Sequence, residues 1–533
     1  MPALPPLIKA LCEPAVYPHP VQAVELIETH ISYLLLAGDY AYKIKKPVNL
    51  GFLDFSSLEA RHFYCNEELR LNRRTAPALY LGVIPITGSE AAPALEGGGV
   101  ALEYAVKMRR FPQEALLDRL ARRNLLQREH IDALAATLAR FHAAIDRAAG
   151  DNQAGSAQAV LAPALQNFDQ IRELLDHGPV LTALDALREW TESEHARLTD
   201  SFEARWREGF VRECHGDLHL GNVALIDGVP TPFDGIEFNA TFRWIDVMNE
   251  IAFMVMDLLD HGLSRFAFHF LNGYLELTGD YGGLRVLRFY LVYRAMVRAK
   301  VALIRAQQSA VGDGDAAEKR RRTEQDFVHH IALAGALSAT AKPALILMHG
   351  VSGSGKSTVA GTLLERLGAV RLRSDVERKR LHGLPPAART GAGLEGAIYT
   401  ADDTERTYRR LADLAQVGME AGFPIIVDAT CLKRWQRDQF RRLAANDGVP
   451  FAIVSCIAPD AVLRERVTRR IQENADASEA GLAVLDHQAK IHDVLGEDEI
   501  AQTITVDTRH DGDNIDQATG QLAQRLGLKP SPA

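Results

Sequence analysis

The sequence predicts an α+β, two-lobed unit followed by an α/β unit built on a five-stranded parallel sheet. Three observations lead there. Up to residue 337, strands come first and long helices follow. From Ala344 onward, short apolar runs alternate with helical segments, the pattern of a parallel sheet covered on both faces. Between them lies Ser338 to Pro343 (SATAKP), small residues ending in a proline that disfavours helix before it. The expected organisation is therefore 1–337, a linker at 338–343, and 344–533.

In the first unit, Thr29 to Leu36 and Tyr40 to Lys46 are strand-like runs joined at Gly38-Asp39, a hairpin-type turn. Val100, Leu102, Tyr104, Val106 and Met108 alternate with less apolar residues, as a half-buried strand does. Leu58 to Arg73 reads as a helix, and Ile131, Leu134, Leu138, Phe141 and Ile145 recur at helical spacing. Gly150 to Gln158 reads as a loop, and Gln307 to Gln325 as a polar, charge-rich stretch. Its run Lys319 to Arg322 fits a solvated helix face or loop better than a nucleic-acid site. In the second unit the strands are Ala344 to Met348, Ala369 to Leu372, Pro424 to Val427, Phe451 to Cys456 and Thr503 to Val506.

The first of those strands runs into His349-Gly350-Val351-Ser352-Gly353-Ser354-Gly355-Lys356-Ser357-Thr358, the pattern G-x-x-x-x-G-K-S ahead of a helix. Gly350, Gly353 and Gly355 let backbone N–H groups, that of Ser354 included, curl around anionic oxygens. The helix start at Ser357 and Thr358 adds partial positive charge. Lys356 would reach the β/γ-phosphates of ATP and Ser357 would hold Mg²⁺. Asp375 follows the second strand, at the ligand crevice of an open α/β sheet, and could take the proton of an acceptor hydroxyl. Arg378, one helical turn on, could hold an anionic acceptor or Asp375 itself. Asp428 ends the third strand and suits the Mg²⁺ shell or a substrate contact. Arg466 and Arg470 share a helix face at i,i+4 and could close over the phosphates.

The first unit carries a second constellation. His215-Gly216-Asp217-Leu218-His219-Leu220-Gly221-Asn222 is H-x-D-x-x-x-x-N, followed by Phe233-Asp234-Gly235. Read mechanically, Asp217 accepts the acceptor's proton, while Asn222 and Asp234 hold Mg²⁺ against the nucleotide. His215 braces the loop. A hydrolase metal site from His215, Asp217 and His219 leaves the Asn-then-Asp spacing unexplained. Tyr40-Ala41-Tyr42-Lys43 has the spacing that puts Ala41 and Lys43 on one strand face. Lys43 is the expected phosphate lysine, although Lys45 shares its face. Glu67 and Glu68 are the candidate ion-pair partners. Arg109 to Pro112 would form the hinge.

Composition narrows the partners. Lys plus Arg is 60 against 69 for Asp plus Glu, a net charge of −9, whereas proteins that coat duplexes are usually basic. Five scattered cysteines without a C-x-x-C pair fit a reducing cytoplasm. The N-terminus lacks a basic region leading into an apolar run, and Ile251 to Leu263 is interrupted by Asp257 and Asp260, so neither a signal peptide nor a membrane span is expected.

On GVSGSGKST, SDVER, VDAT at 427–430, RERVTRR and DASEA at 476–480, the second unit resembles the small P-loop kinases that include zeta toxins, gluconate kinase and the kinase domain of polynucleotide kinases. The resemblance implies that Asp375 binds or activates an acceptor hydroxyl and that the arginines Arg466 and Arg470 engage phosphates. On HGDLHLGN, the first unit resembles the aminoglycoside phosphotransferase and choline kinase branch of the protein-kinase-like fold. The whole resembles bacterial fusions of the two. No G-x-G-x-x-G loop precedes Lys43; Glu28 to Ser32 (ETHIS) stands there. The leading expectation is an ATP- and Mg²⁺-dependent phosphotransferase with two sites, acting on hydroxyls of small molecules. The alternatives are a nucleotide-dependent binding module with a degenerate first half, and a nucleotide-sugar or RNA-end kinase using Arg373, Arg378, Arg434 and Arg437.

Overall fold

The computed structural model describes all residues except 1–3, 50, 52, 149–151, 176–179, 309–314, 340–341, 387, 389–399, 474–479, 510–512 and 531–533. It divides into two compact units: Met1–Val160 with Phe202–Asp257, and Leu161–Ser201 with Leu258–Ala533.

The first unit holds a six-stranded antiparallel sheet of β1 (Val24–Glu28), β2 (Ser32–Ala37), β3 (Tyr40–Lys45), β4 (Tyr80–Ser89), β5 (Ala92–Leu95) and β6 (Glu103–Arg109), ordered β1-β2-β3-β6-β4-β5. Alternation along β3 sorts its residues. Tyr42 and Ile44 enter an apolar cluster with Leu35, Ile86 and Ala105. Lys43 and Lys45 point to the other face, toward Glu68 of the Leu58–Asn72 helix. Ser57 caps that helix by accepting the Ala60 N–H. Downstream, β7 (Val211–Glu213) pairs with β10 (Trp244–Asp246), and β8 (Val223–Ile226) with β9 (Val229–Pro232). Asp227-Gly228 turns the second pair with positive φ at both residues (50° and 79°), the geometry a two-residue hairpin needs.

The second unit contains a five-stranded, all-parallel sheet of β11 (Ala344–His349), β12 (Val370–Arg373), β13 (Pro424–Asp428), β14 (Phe451–Ile457) and β15 (Thr503–Asp507), ordered β12-β13-β11-β14-β15. All six β11 residues are buried, as expected of a strand with helices on both faces. Ile346, Met348 and Val454 pack with Leu363, Leu364 and Leu522 of two covering helices.

Some expectations need adjusting. The third predicted strand begins at Glu103 rather than Val100. The stretch read as a loop at 150–158 contains a 3₁₀ turn at Gln153–Gly155 and the start of a helix at Ala157. Arg320, Arg321 and Arg322 lie exposed on the Asp315–Ser338 helix, paired with Glu318 and Glu324. DASEA lies outside the described residues save Ala480.

The compact units do not part at 338–343, and the reason is local. β12 is an edge strand, and the Ser264–Thr278 helix covers it. Asn272 Nδ2 donates to the Ala369 carbonyl (2.9 Å) while its Oδ1 accepts from the Arg371 N–H (2.7 Å), as a neighbouring strand would. One turn on, Glu276 forks onto Arg371 (3.1 Å) and Arg373 (2.8 Å). Asn272 is 5% exposed, so Asn272→Ala strands a buried N–H and C=O. We expect it to cost about 1–3 kcal/mol in urea denaturation of the full chain. A loss below about 0.5 kcal/mol, the level of an ordinary surface change, would mean that the edge needs no cover.

Candidate active sites

In the first unit the candidate residues gather around the β8–β9 hairpin. Asn222 precedes β8 and Phe233-Asp234 follows β9, so pairing of the strands brings them together; Phe233 N–H donates to the Asn222 carbonyl at 2.9 Å. Asn222 Nδ2 donates to both the backbone carbonyl (2.9 Å) and Oδ2 (3.0 Å) of Asp217. Asp234 adopts φ +62°, rare for a residue with a side chain, and its N–H donates to the Tyr80 hydroxyl at 3.1 Å. Its carboxylate meets the Lys43 ammonium. Lys43 also pairs with Glu68 at 2.8 Å.

Only one of the two candidate glutamates meets the lysine. Glu67, the other, turns to Arg70 (2.9 Å) and Arg243 (3.6 Å) instead. Consecutive helix residues point about 100° apart, so one helix face can serve β3 with only one of them. Lys45 is fully buried between Glu68 and Glu237. Burial alone would raise the Glu68 pKa, but Lys43 and Lys45 outweigh it and hold the carboxyl at about 2. Burial alone would lower Lys43, and Asp234, Glu68 and Glu237 raise it well above an ordinary lysine. Glu237 goes up, from burial first and then from its neighbour Glu68.

The catalytic-type loop is held from behind. Glu250 accepts from the N–H groups of His215 (2.6 Å) and Gly216 (2.8 Å) and contacts His142 at 2.8 Å. Asp257 accepts from the Leu220 N–H at 2.8 Å. His215 joins its Nε2 to the Phe233 carbonyl at 2.8 Å, and burial lowers its pKa. That neutral, bracing imidazole does not converge on a metal site with His219, whose Nδ1 accepts from Gly221. Sequence reading missed Glu237, Glu250 and Tyr80 as site residues. It set Lys45 on the face of Lys43 from the period of β3 but gave it no role, and Asp257 was visible as a charge interrupting an apolar run.

In the second unit, Gly350, Gly353 and Gly355 have φ of 136°, 80° and 82°. A Cβ at Gly350 would stand 2.5 Å from the Cys456 carbonyl, and one at Gly353 2.8 Å from that of Leu463. Gly350 N–H is held by the Thr430 carbonyl at 3.1 Å. Ser354 Oγ and Asp428 Oδ2 are buried with no partner among the described residues. Lys356 donates to the Val351 carbonyl at 2.8 Å. Burial lowers its pKa, opposed by the nearby charges of Asp428 and Asp375. Ser357 and Thr358 open the helix, exposed. Arg378 is buried with Thr404 Oγ1 3.4 Å from its guanidinium. Arg466 bonds Thr508 Oγ1 (2.8 Å) and the Gly353 carbonyl (3.5 Å), and Arg470 bonds Ser352 Oγ (3.0 Å), so both reach the loop. Of the other arginines considered for an anionic acceptor, Arg373 pairs with Glu276, Arg434 with Asp498 and Arg437 with Glu499.

Glu68 generates a test. Its folded pKa of about 2 lies below the ordinary 4.5, so its stabilisation is complete above pH 4.5 and is lost as pH falls from 4.5 toward 2. Glu68→Gln should flatten the stability–pH curve in that window and cost about 3–5 kcal/mol at neutral pH, because it breaks a buried pair. Glu67→Gln, on a partly exposed pair, should cost less than about 1 kcal/mol. Chemical denaturation across pH reads both.

A family model for "Phosphotransferase enzyme family" matches residues 68–287, and one for "AAA domain" matches residues 345–495. "Uncharacterized protein Rv2004c" of Mycobacterium tuberculosis is 31% identical over 478 residues, 88% of this chain and 92% of its own. An adenylyl-sulfate kinase of Myxococcus xanthus is 29% identical over 135 residues, 25% of this chain and 69% of its own. Among solved structures, an ethanolamine kinase of Plasmodium vivax covers 58% of this chain and 81% of its own at 11% identity, with a TM-score of 0.36. The chain thus belongs to the family of that mycobacterial protein, as a kinase in which a kinase-like phosphotransferase domain precedes a P-loop kinase domain.

Proposed function

We propose that the chain uses ATP and Mg²⁺ to phosphorylate hydroxyl groups of small molecules at two sites, one within 1–337 and one within 344–533, joined by 338–343. The observation that supports this most is that Asp217 bonds Asn222 and Asp234 pairs with Lys43 in the first site, while the charges of Asp428 and Asp375 act on Lys356 of the glycine loop in the second. In the second site the donor set suits a nucleotide. The glycine loop has no room for side chains at Gly350 and Gly353, the orphaned Ser354 Oγ faces Gly350, and the charge of Asp428, whose Oδ2 is orphaned, acts on Lys356. Magnesium would be held through Ser357 and Asp428 here, and through Asn222 and Asp234 in the first site. It would supply charge neutralisation on the transferred phosphoryl group.

The chain's own groups do the rest. Asp217 and Asp375 each take the proton of an acceptor hydroxyl as its oxygen attacks. Lys43, kept charged by Glu68, orients the nucleotide phosphates of the first site. Lys356, Arg466 and Arg470 balance charge developing on the phosphoryl oxygens in the second. Arg378 lies one helical turn from Asp375 and orients the acceptor. The sequence similarity to an adenylyl-sulfate kinase fits a hydroxyl acceptor for the P-loop part. The scattered, unpaired cysteines fit a cytoplasmic setting for this chemistry.

A second reading, a nucleotide-binding module with an inactive first half, draws on one observation. The β1–β2 turn carries Thr29, His30 and Ile31 in place of glycines, and Lys43 is held by both Glu68 and Asp234. Enzyme assays separate the two. In a panel of small hydroxyl compounds with ATP, Asp217→Ala and Lys356→Ala should each remove a different set of phosphorylated products, lowering those rates about 10²-fold or more. Product formation unchanged in both variants overturns the two-site reading; loss in Lys356→Ala alone favours the module for the first half.

A further inference from the structure

The phosphate loop is not bare. Ser352, two residues past Gly350, donates its backbone N–H to Oε1 of Gln488 at 2.7 Å. Gln488 comes from the Leu482–Ile491 helix, remote in sequence, and two further contacts seat that helix against the loop and the end of β11. Leu485, 2% exposed, packs with Leu463, Val467 and the loop's own Val351. His492, its C-cap residue, meets His349 at the end of β11, with 3.0 Å between their Nε2 atoms. Arg470 reaches the Ser352 hydroxyl (3.0 Å) from the neighbouring Asp460–Glu473 helix.

A loop of this kind works by presenting amide N–H groups to anionic oxygens. An amide carbonyl is a good acceptor for a neutral side chain, and it carries partial negative charge. Gln488 Oε1 therefore satisfies Ser352 in the way that a phosphate oxygen would. Lys356 is likewise satisfied from within the loop, by the Val351 carbonyl. Unlike that carbonyl, which belongs to the loop, the glutamine can withdraw with its helix.

We propose that Gln488 is a built-in phosphate surrogate: its side-chain carbonyl occupies one anion position of the loop, and nucleotide phosphate binds by displacing it. This rests on the reading of Gly350–Thr358 as a nucleotide cradle. Binding then carries the cost of releasing one hydrogen bond, so the closed glutamine lowers the apparent affinity. The same exchange frees the Leu482–Ile491 helix to take a second position once nucleotide is present, which links occupancy of the loop to the elements around Arg466 and Arg470.

The test is equilibrium binding of Mg²⁺·AMPPNP and Mg²⁺·ADP to the full-length protein, with the component lost in Lys356→Ala assigned to this loop. Gln488→Ala removes the competitor and should tighten that component about three- to tenfold, the worth of one ordinary hydrogen bond. Gln488→Glu places a full negative charge on the same N–H, and should weaken it more than threefold. The side chain is partly exposed, so both variants should keep the wild-type circular dichroism and melting profile. Unchanged or weaker binding in Gln488→Ala, or no weakening in Gln488→Glu, overturns the surrogate role. Nucleotide binding that survives intact in Lys356→Ala overturns instead the nucleotide reading of the loop, and the surrogate with it.

Discussion

One carboxylate shared by two buried lysines is the constraint around which the first unit is arranged. Glu68 cannot be solvated, so its charge must be matched locally, and β3 supplies two cations two residues apart. Once both lysines are buried, they demand further anions. Glu237 answers Lys45 and Asp234 answers Lys43, and both come from the segment that leaves the β8–β9 hairpin. The cluster thereby ties the six-stranded sheet to the loop bearing Asp217 and Asn222. It carries two positive and three negative groups, an excess of the sign that a divalent cation neutralises.

The second unit builds its candidate site by different means. Its cradle is backbone, made by glycines at φ values that other residues avoid, and its loop lysine, Lys356, is discouraged by burial from holding its proton. The first site concentrates charge on side chains that the sheet period selects; the second distributes partial charge over a turn. Each satisfies some donors internally, Lys43 by Asp234 in one case, Lys356 and Ser352 by Val351 and Gln488 in the other, while Ser354 Oγ and Asp428 Oδ2 have no partner among the described residues.

The five parallel strands were readable because each is a short apolar run with a helix after it, and the glycine loop because its residue pattern admits few alternatives. The H-x-D-x-x-x-x-N loop and Asp234 were readable as a spaced set, since a hairpin with an Asp-Gly turn closes the gap between them. What remained hidden was partnership across long stretches of chain. Nothing local distinguishes Glu68 from Glu67 until the face of the Leu58–Asn72 helix is fixed by Cys65 and its apolar neighbours. Glu250 sits 35 residues from His215 with no spacing rule to join them. Gln488 has no charge and no motif.

The edge of the parallel sheet has a genetic consequence. β12 borrows its last pair of backbone partners from Asn272, a residue inside the stretch that matches the other family. A gene broken within 338–343 would release a P-loop fragment with an open strand edge, a template for self-association. Lineages that reshuffle such modules freely would have to carry the covering helix along or invent a substitute for it. The two halves are therefore expected to be inherited together, and exchange of either one alone to be selected against.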